Sequence, residues 1–374
     1  MDKDVAELLS RSVEKVIPRE LAEQKFKSGE KLRVYFGVDP TGAKLHLGHS
    51  VPLRKLKAFA DAGHEVVFLV GSFTAMIGDP SGRDTMRAPL TREEVEKNFQ
   101  TYKEQASKIL DLSKIEVKYN HEWLDALKLA DLVDLTSKFT VQQIIQRDMF
   151  DKRIKEGNPI SLHEFLYPIM VGYDSVVLDV DCELGGSDQE FNMLAGRTLQ
   201  TAYKKRDKFV LTTRLIEGTD GRKMSKTYNN AVYLEDLPND MYGKLMSIND
   251  NLTKTYFECL TDVPTNEITE IMKGHPKEAK MRLAFEITKL YHGEEVAKEA
   301  QENFEETFSK GEAPKDIKTV KIGKDAVLRD VLVEHGLVSS KSEFNRLEKE
   351  GAVKELPGGV YRIGKHRFIK VMRE

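Results

Sequence analysis

The sequence predicts an α/β fold built on an open parallel sheet, followed by an all-helical domain and a small α+β tail. Three observations carry this. Short strand-like runs at 31–38, 65–70, 115–119, 175–181 and 209–213 alternate with helix-patterned segments. From about 235 to 308 strand patterns stop and amphipathic helical segments follow one another. After the linker-like Ser309-Lys310-Gly311-Glu312-Ala313-Pro314-Lys315-Asp316, helix and strand patterns mix again in a short basic end.

Taken in order, residues 5–30 read as amphipathic helix. Residues 31–38 alternate as a strand, and Leu53, Leu56, Phe59 and Ala60 then recur at helical spacing. Glu65–Val70 is a continuous apolar run of the buried parallel type. Gly, Asp, Pro and Ser mark a tight loop over 71–83. A helix over 92–110 shows Val95, Phe99, Tyr102, Ala106 and Ile109 on one face, and Ile115–Tyr119 is strand-like. Residues 123–154 read as helical with an apolar excess, which suits either a core or a subunit contact. The pattern over 163–174 is helical despite Pro168, and 175–181 reads as a strand. Gly185-Gly186-Ser187-Asp188-Gln189 reads as a loop opening a helix. Helical segments are expected near 240–248, 253–261, 266–273, 277–290 and 293–308. In the tail, helices are expected at 326–334 and 342–349, with Ser342 as cap, and strands at 353–356, 360–363 and 368–372.

Charged residues make up 32% of the 374, but the net charge is only -3, so any surface for nucleic acid must be local. Residues 341–374 hold nine Lys and Arg against five Glu, a patch suited to phosphate backbones. Cys182 and Cys259 read as buried free thiols, which fits a reducing cytosol. No apolar run is long enough to span a bilayer, and the N-terminus lacks an apolar signal core.

The chemistry concentrates around His46-Leu47-Gly48-His49, where a strand end feeds a helix start. Ligands bind at such strand ends, and free N–H groups at a helix start suit phosphate. Three readings stand: two structural histidines, a zinc site short of ligands, or imidazoles donating to nucleotide phosphates. Asp79 is a turn former or a carboxylate for a cationic group. Tyr167 reads as core, whereas a buried Asp174 seven residues on, along the same face, requires a partner. Asp188 and Gln189 are helix caps or ribose and ligand contacts. Lys223 and Lys226 belong to a solvated loop or to a mobile pair that closes on phosphates. Neither a Walker loop nor a dinucleotide glycine motif is present.

The joint order of Asp39-Pro40-Thr41-Gly42, His46-Leu47-Gly48-His49, Gly78-Asp79-Pro80-Ser81-Gly82, Tyr167-Pro168, Gly172-Tyr173-Asp174, Gly185-Gly186-Ser187-Asp188-Gln189 and Lys223-Met224-Ser225-Lys226-Thr227 is far more specific than any part. It resembles the bacterial tyrosyl-tRNA synthetases, of the class I aminoacyl-tRNA synthetases, essentially end to end. The resemblance implies a Rossmann-like catalytic domain over 1–234 with a helical insertion near 120–160. It implies a helical domain at 235–313 for the anticodon region. At 314–374 it implies a linker and an RNA-binding domain of the ribosomal small-subunit-protein-four type. It implies tyrosine, ATP and tRNA(Tyr) as substrates, Mg2+ accompanying the ATP without protein ligands, a homodimer, and a cytoplasmic location away from membranes.

By the same resemblance, His46, His49 and Thr41 meet the ATP phosphates, with Gly48 and Met224 also at the nucleotide. Lys223 and Lys226 close over pyrophosphate, helped by Arg83 and Arg87. Asp188 meets the ribose, and Asp39 and Gln189 hold the aminoacyl adenylate. Asp79 and Tyr167 take the tyrosine ammonium, and Tyr35 and Asp174 its phenol hydroxyl. The family commonly has Gln where this chain has Val171, so one ammonium contact is missing. Three rivals are a small-molecule nucleotidyltransferase, a tryptophanyl-tRNA synthetase, and an RNA-binding paralogue without catalysis. The first leaves the helical domain and basic tail unexplained. The second does not need Tyr35 and Asp174 poised for a phenol. The third is opposed by the intact histidines and lysines.

Overall fold

A computed structural model describes residues 3–42, 44–81, 90–146, 148–310, 319–323, 326–338, 340–364 and 367–373. The chain divides into two compact units, Met1–Glu235 with Lys254–Ile268, and Asp236–Thr253 with Thr269–Glu374.

The first unit is built on six strands: β1 (Val13–Ile17), β2 (Arg33–Val38), β3 (Glu65–Val70), β4 (Glu116–Tyr119), β5 (Cys182–Gly186) and β6 (Phe209–Thr213), in the order β1-β6-β5-β2-β3-β4. β6, β5, β2, β3 and β4 run parallel, so β2 lies centrally with Val34 opposite both Val66 and Cys182. β3 and the start of β6 are apolar on both faces because helices pack on the sheet. Val67, Phe68, Phe209, Val210 and Leu211 are all at 0% exposure. Each such side chain contributes about 1.5–3 kcal/mol through burial. The helix Leu47–Asp61 makes the crossover from β2 to β3 and buries Val51, Leu53, Leu56 and Phe59.

Three expectations are corrected. Residues 5–30 are not one helix: the helices Lys3–Leu8 and Arg19–Lys27 flank β1. Ser12 turns left-handed at φ 61°, and Val13, Val16 and Ile17 favour the strand. β1 pairs antiparallel with β6, so the sheet is mixed. Residues 123–154 are helical as expected, in the short helices His121–Leu124, Leu129–Thr136, Val141–Ile145 and Asp148–Lys155. One break is set by Thr140, whose hydroxyl accepts from the Gln143 amide at 3.2 Å. The strand expected at 175–181 lies later, at β5. The helix Leu162–Leu178 runs through Val176 and Leu178, both buried, while Val177 faces outward at 38% exposure. Asp179, left-handed at φ 50°, ends it. In the tail the cap is Ser340, not Ser342; its hydroxyl accepts from the Glu343 amide at 3.2 Å.

In the second unit the helices Pro238–Met246, Pro276–His292 and Glu294–Lys310 pack on one another. A four-stranded sheet follows, comprising β7 (Thr319–Ile322), β8 (Val353–Leu356), β9 (Val360–Ile363) and β10 (Arg367–Arg373), in the order β7-β10-β9-β8. The strand patterns had not shown β7, which pairs parallel with β10. The helices Leu328–Glu334 and Lys341–Lys349 close a core of Val320, Leu332, Phe344, Ile363 and Ile369. Both cysteines are buried and free. Among the described residues no helix is long and apolar enough to cross a membrane.

Candidate active site

A cavity of about 710 Å³ opens at the C-terminal ends of β2, β3 and β5. That is where an open α/β sheet offers its strand ends to a ligand. Tyr35, Asp39, Thr41, His46, Gly48 and His49 line it from β2 and the start of the following helix. Asp79 enters from the loop beyond β3, and Tyr167, Val171 and Asp174 from the Leu162–Leu178 helix. Asp188, Gln189, Lys223 and Met224 complete it. Lys226 is exposed on the turn Lys226–Tyr228 and is not among the lining residues. Arg83 and Arg87 lie outside the described residues.

At the deep end Tyr35, Tyr167 and Asp174 are buried and hydrogen-bonded within the protein. Asp174 is only 2% exposed; Trp123 Nε1 donates to one carboxylate oxygen at 2.8 Å and Asn120 Nδ2 to the other at 3.2 Å. Burial raises its pKa well above the carboxylate range, and the Trp123 and Asn120 hydrogen bonds oppose that rise. Asn120 Nδ2 also donates to Thr74 Oγ1 at 3.0 Å, and Thr74 donates to Asp39 Oδ1 at 2.7 Å. Tyr167 donates its hydroxyl to the other Asp39 oxygen at 2.9 Å. Gly71 is required beside this pair, since a Cβ there would lie 2.0 Å from Asp39 Oδ1. Gln189 Nε2 donates to Asp79 at 2.8 Å, and Asn192 Nδ2 to Gln189 Oε1 at 2.8 Å.

Within the protein, Tyr167 bonds Asp39 and Asp79 bonds Gln189. The Tyr35 hydroxyl lies 3.1 Å from Ser175 Oγ, while the carboxylate of Asp174 is held by Trp123 and Asn120. Both still line the cavity, and burial raises the pKa of Tyr35 and Tyr167 well above the phenol value.

At the mouth the groups are more open. The His46 amide donates to His49 Nδ1 at 3.2 Å, and the two rings stack with centroids 3.7 Å apart. A neutral His49 that accepts at Nδ1 carries its proton on Nε2. Desolvation brings its pKa down to about 4, with the Asp188 carboxylate opposing and the Lys223 ammonium assisting. Desolvation, then the neighbouring His49 and Lys223, takes His46 down to about 2. Two neutral imidazoles therefore stand at the start of the Leu47–Asp61 helix. Its Leu47 amide donates to Val232 O at 2.9 Å, and Leu234 N donates back to Leu45 O at 3.0 Å, which ties this turn to the segment after the lysine loop. Lys223 pairs with Asp188 at 2.8 Å and is half-exposed. The arrangement offers donors and a cation for phosphates near a carboxylate suited to ribose, at the open end of a slot with a polar floor. Among the described residues no three His, Cys, Asp or Glu gather as a metal site.

Sequence reasoning passed over Asn120, Trp123 and Thr74. One signal was available: Trp123, the chain's only tryptophan, and Asn120 follow the C-terminal end of β4.

Residues 27–309 match the class I tRNA synthetases (W and Y), and the chain belongs to that family. Within it, the similarity falls on the tyrosine branch. The tyrosine–tRNA ligase of Thermotoga maritima is 46% identical over an alignment covering 99% of this chain and 97% of that protein. Tyrosine–tRNA ligase 2 of Vibrio cholerae is 42% identical, covering 97% of both. Among solved structures, a truncated mitochondrial tyrosyl-tRNA synthetase of Aspergillus nidulans superposes with a TM-score of 0.70 at 23% identity. The match covers 82% of this chain and 95% of that one, a likeness of fold.

Proposed function

We infer that the chain activates tyrosine with ATP, releasing pyrophosphate, and passes the tyrosyl group to tRNA(Tyr). The observation that carries this is the floor of the cavity. Asp174 is dry and held by two donors, and Tyr35 also lines that space. An apolar side chain would offer a partner neither to the remaining acceptor capacity of Asp174 nor to the Tyr35 hydroxyl, at about 1–3 kcal/mol for a buried polar group left unanswered. A phenol brings one proton and one acceptor oxygen and answers both.

In this reading Asp79 and Tyr167 meet the ammonium, and Asp39 and Gln189 the adenylate. The tyrosine carboxylate attacks the α-phosphate, and charge grows on the leaving pyrophosphate. His49 Nε2, His46, Thr41 and Lys223 stabilise it, and Lys226 joins by movement of its loop. Asp188 exchanges Lys223 for the ribose. Catalysis is then orientation plus charge stabilisation, with no covalent enzyme intermediate. Mg2+ enters with the nucleotide's phosphates rather than on a site of this chain.

The reading includes a homodimer, supported by Leu129, Val133, Val141 and Leu162 at 61–79% exposure in and beside the expected contact region. It gives the helices of 235–313 to the anticodon region and the basic tail to RNA, in the cytoplasm. The test is ATP–pyrophosphate exchange with tyrosine, phenylalanine and tryptophan in parallel. Exchange strictly dependent on tyrosine is expected; equal exchange with tryptophan, or none with any, would overturn it.

A further inference from the structure

Lys223 and Lys226 stand on differently built parts of one loop. Asn230, 2% exposed, ends that loop where the chain enters the buried run Ala231-Val232. Its side-chain amide is fully used. Oδ1 accepts from the Ser225 amide at 2.9 Å, and Nδ2 donates to Asp220 Oδ1 at 2.6 Å. Nδ2 also donates to the carbonyls of Arg222 and Lys223, at 3.3 and 3.2 Å. The Asn230 carbonyl accepts from the Thr219 amide at 3.0 Å, and Asp220 Oδ1 takes the Arg222 amide at 3.0 Å. Gly218 makes room for it, since a Cβ there would lie 2.4 Å from Asn230 Cγ. None of these bonds reaches 226–229, the exposed turn that carries Lys226. That turn is closed locally, by Thr227 N donating to Ser225 Oγ at 3.2 Å and Asn229 N to Lys226 O at 3.1 Å.

We propose that Asn230 is a positioning residue for tyrosine activation: it holds Lys223 ready for the leaving pyrophosphate before ATP arrives, and confines loop movement to the turn that carries Lys226. This rests on the reading that both lysines meet pyrophosphate. The place requires an amide. One backbone N–H needs an acceptor, while Asp220 and two carbonyls need donors, and among side chains of this size Asn alone supplies both. A carboxylate could answer Ser225 but could not donate to the other three. A buried polar network whose members are all satisfied rigidifies its surroundings. Lys223 is thus fixed through its backbone, and its ammonium rests on Asp188 at 2.8 Å. A cation already in place stabilises developing charge without reorganisation at the moment of reaction. Lys226, on the unclamped turn, contributes once it has swung in.

The test is tyrosine-dependent pyrophosphate exchange by the full-length protein, with Asn230→Ala made in three backgrounds. In the wild type it is expected to lower kcat roughly 5- to 30-fold, the size of one or two lost buried hydrogen bonds, with KM for tyrosine unchanged. In Lys223→Ala it is expected to cost nothing further, because the lysine it positions is gone. In Lys226→Ala the full factor should return. A purely structural role would repeat the loss in both backgrounds and raise KM for tyrosine, and that result overturns the proposal. So does a loss that vanishes in both backgrounds, which would make the two lysines one moving pair, or a wild-type kcat in Asn230→Ala when Lys223→Ala lowers it. If Lys223→Ala itself leaves exchange unchanged, the pyrophosphate reading falls first. Should thermal melting find Asn230→Ala unfolded, Asn230→Asp, which keeps the shape and the acceptor but not the amide donors, carries the same comparison.

Discussion

The two ends of the cavity are built differently. At the floor, Asp174 and Tyr35 are 2% and 1% exposed, each held by neighbouring side chains. At the mouth, His49 and Lys223 are exposed, and Lys223 is held by a carboxylate expected to serve the ribose. A dry, rigidly held floor discriminates, because the wrong ligand leaves its remaining hydrogen-bonding capacity unanswered where water cannot supply it. An open mouth must accept a triphosphate and then release pyrophosphate, so its groups need alternative partners. Identity should therefore be read at the floor and rate set at the mouth.

The largest expected effect is at the mouth. His49→Ala removes one oriented donor to developing charge, which typically costs about 2.7–4 kcal/mol, or roughly 10²–10³ in rate. Tyrosine-dependent exchange in the folded variant measures it, with tyrosine affinity unchanged. A wild-type rate would move the phosphates away from this helix start.

Next is the side wall. Val171 lines the cavity where the family commonly has Gln. Val171→Gln should tighten tyrosine binding by about 1.5–3 kcal/mol, one hydrogen bond to a charged group. Equilibrium binding without ATP measures it. Weaker binding would mean that the Asp79–Gln189–Asn192 chain already completes the ammonium site.

A smaller effect concerns proton uptake. The unfolded chain's imidazoles protonate near the ordinary 6.5, whereas folded His49 does so only near 4 and His46 near 2. These depressed values contribute stability that is fully present above pH 6.5. It is lost progressively as pH falls toward and through the folded values. In the free enzyme, the NMR signals of these two rings should stay still between about pH 7.5 and 5.5. A midpoint near 6.5 would show the rings to be solvated and the stacked, neutral pair to be wrong.

The smallest effect on activation is expected from the tail. A chain ending near Ala313 should keep tyrosine-dependent exchange and lose tRNA charging, and the full chain's tRNA affinity should fall with salt. Equal tRNA affinity with and without the tail would remove it from recognition.

The mouth was more legible in the sequence than the floor, for a physical reason. His46, Gly48 and His49 act within one turn, so spacing alone describes them. The floor is assembled across the sheet: Tyr35 comes from β2, Asn120 and Trp123 from beyond β4, and Asp174 from a helix. No local pattern records that meeting. The same limit explains the misplaced strand. Val176-Val177-Leu178 is apolar and β-branched, and a short run of that kind does not separate strand from buried helix. Only the packing of both Gly172 and Ser175 against Gly196 shows that the helix continues there. β1 was hidden likewise, because its partner β6 is nearly 200 residues away in sequence.

The division of labour is tested most directly by measuring kcat/KM for tyrosine and phenylalanine in exchange, in wild type, Asp174→Ala and His49→Ala. Asp174→Ala strips the acceptor from the floor and leaves Trp123 Nε1 and Asn120 Nδ2 unpaired toward it, so the Tyr:Phe ratio should collapse. In His49→Ala both rates should fall together and the ratio should stand. A ratio unchanged in Asp174→Ala, or lowered as much in His49→Ala, would contradict the account.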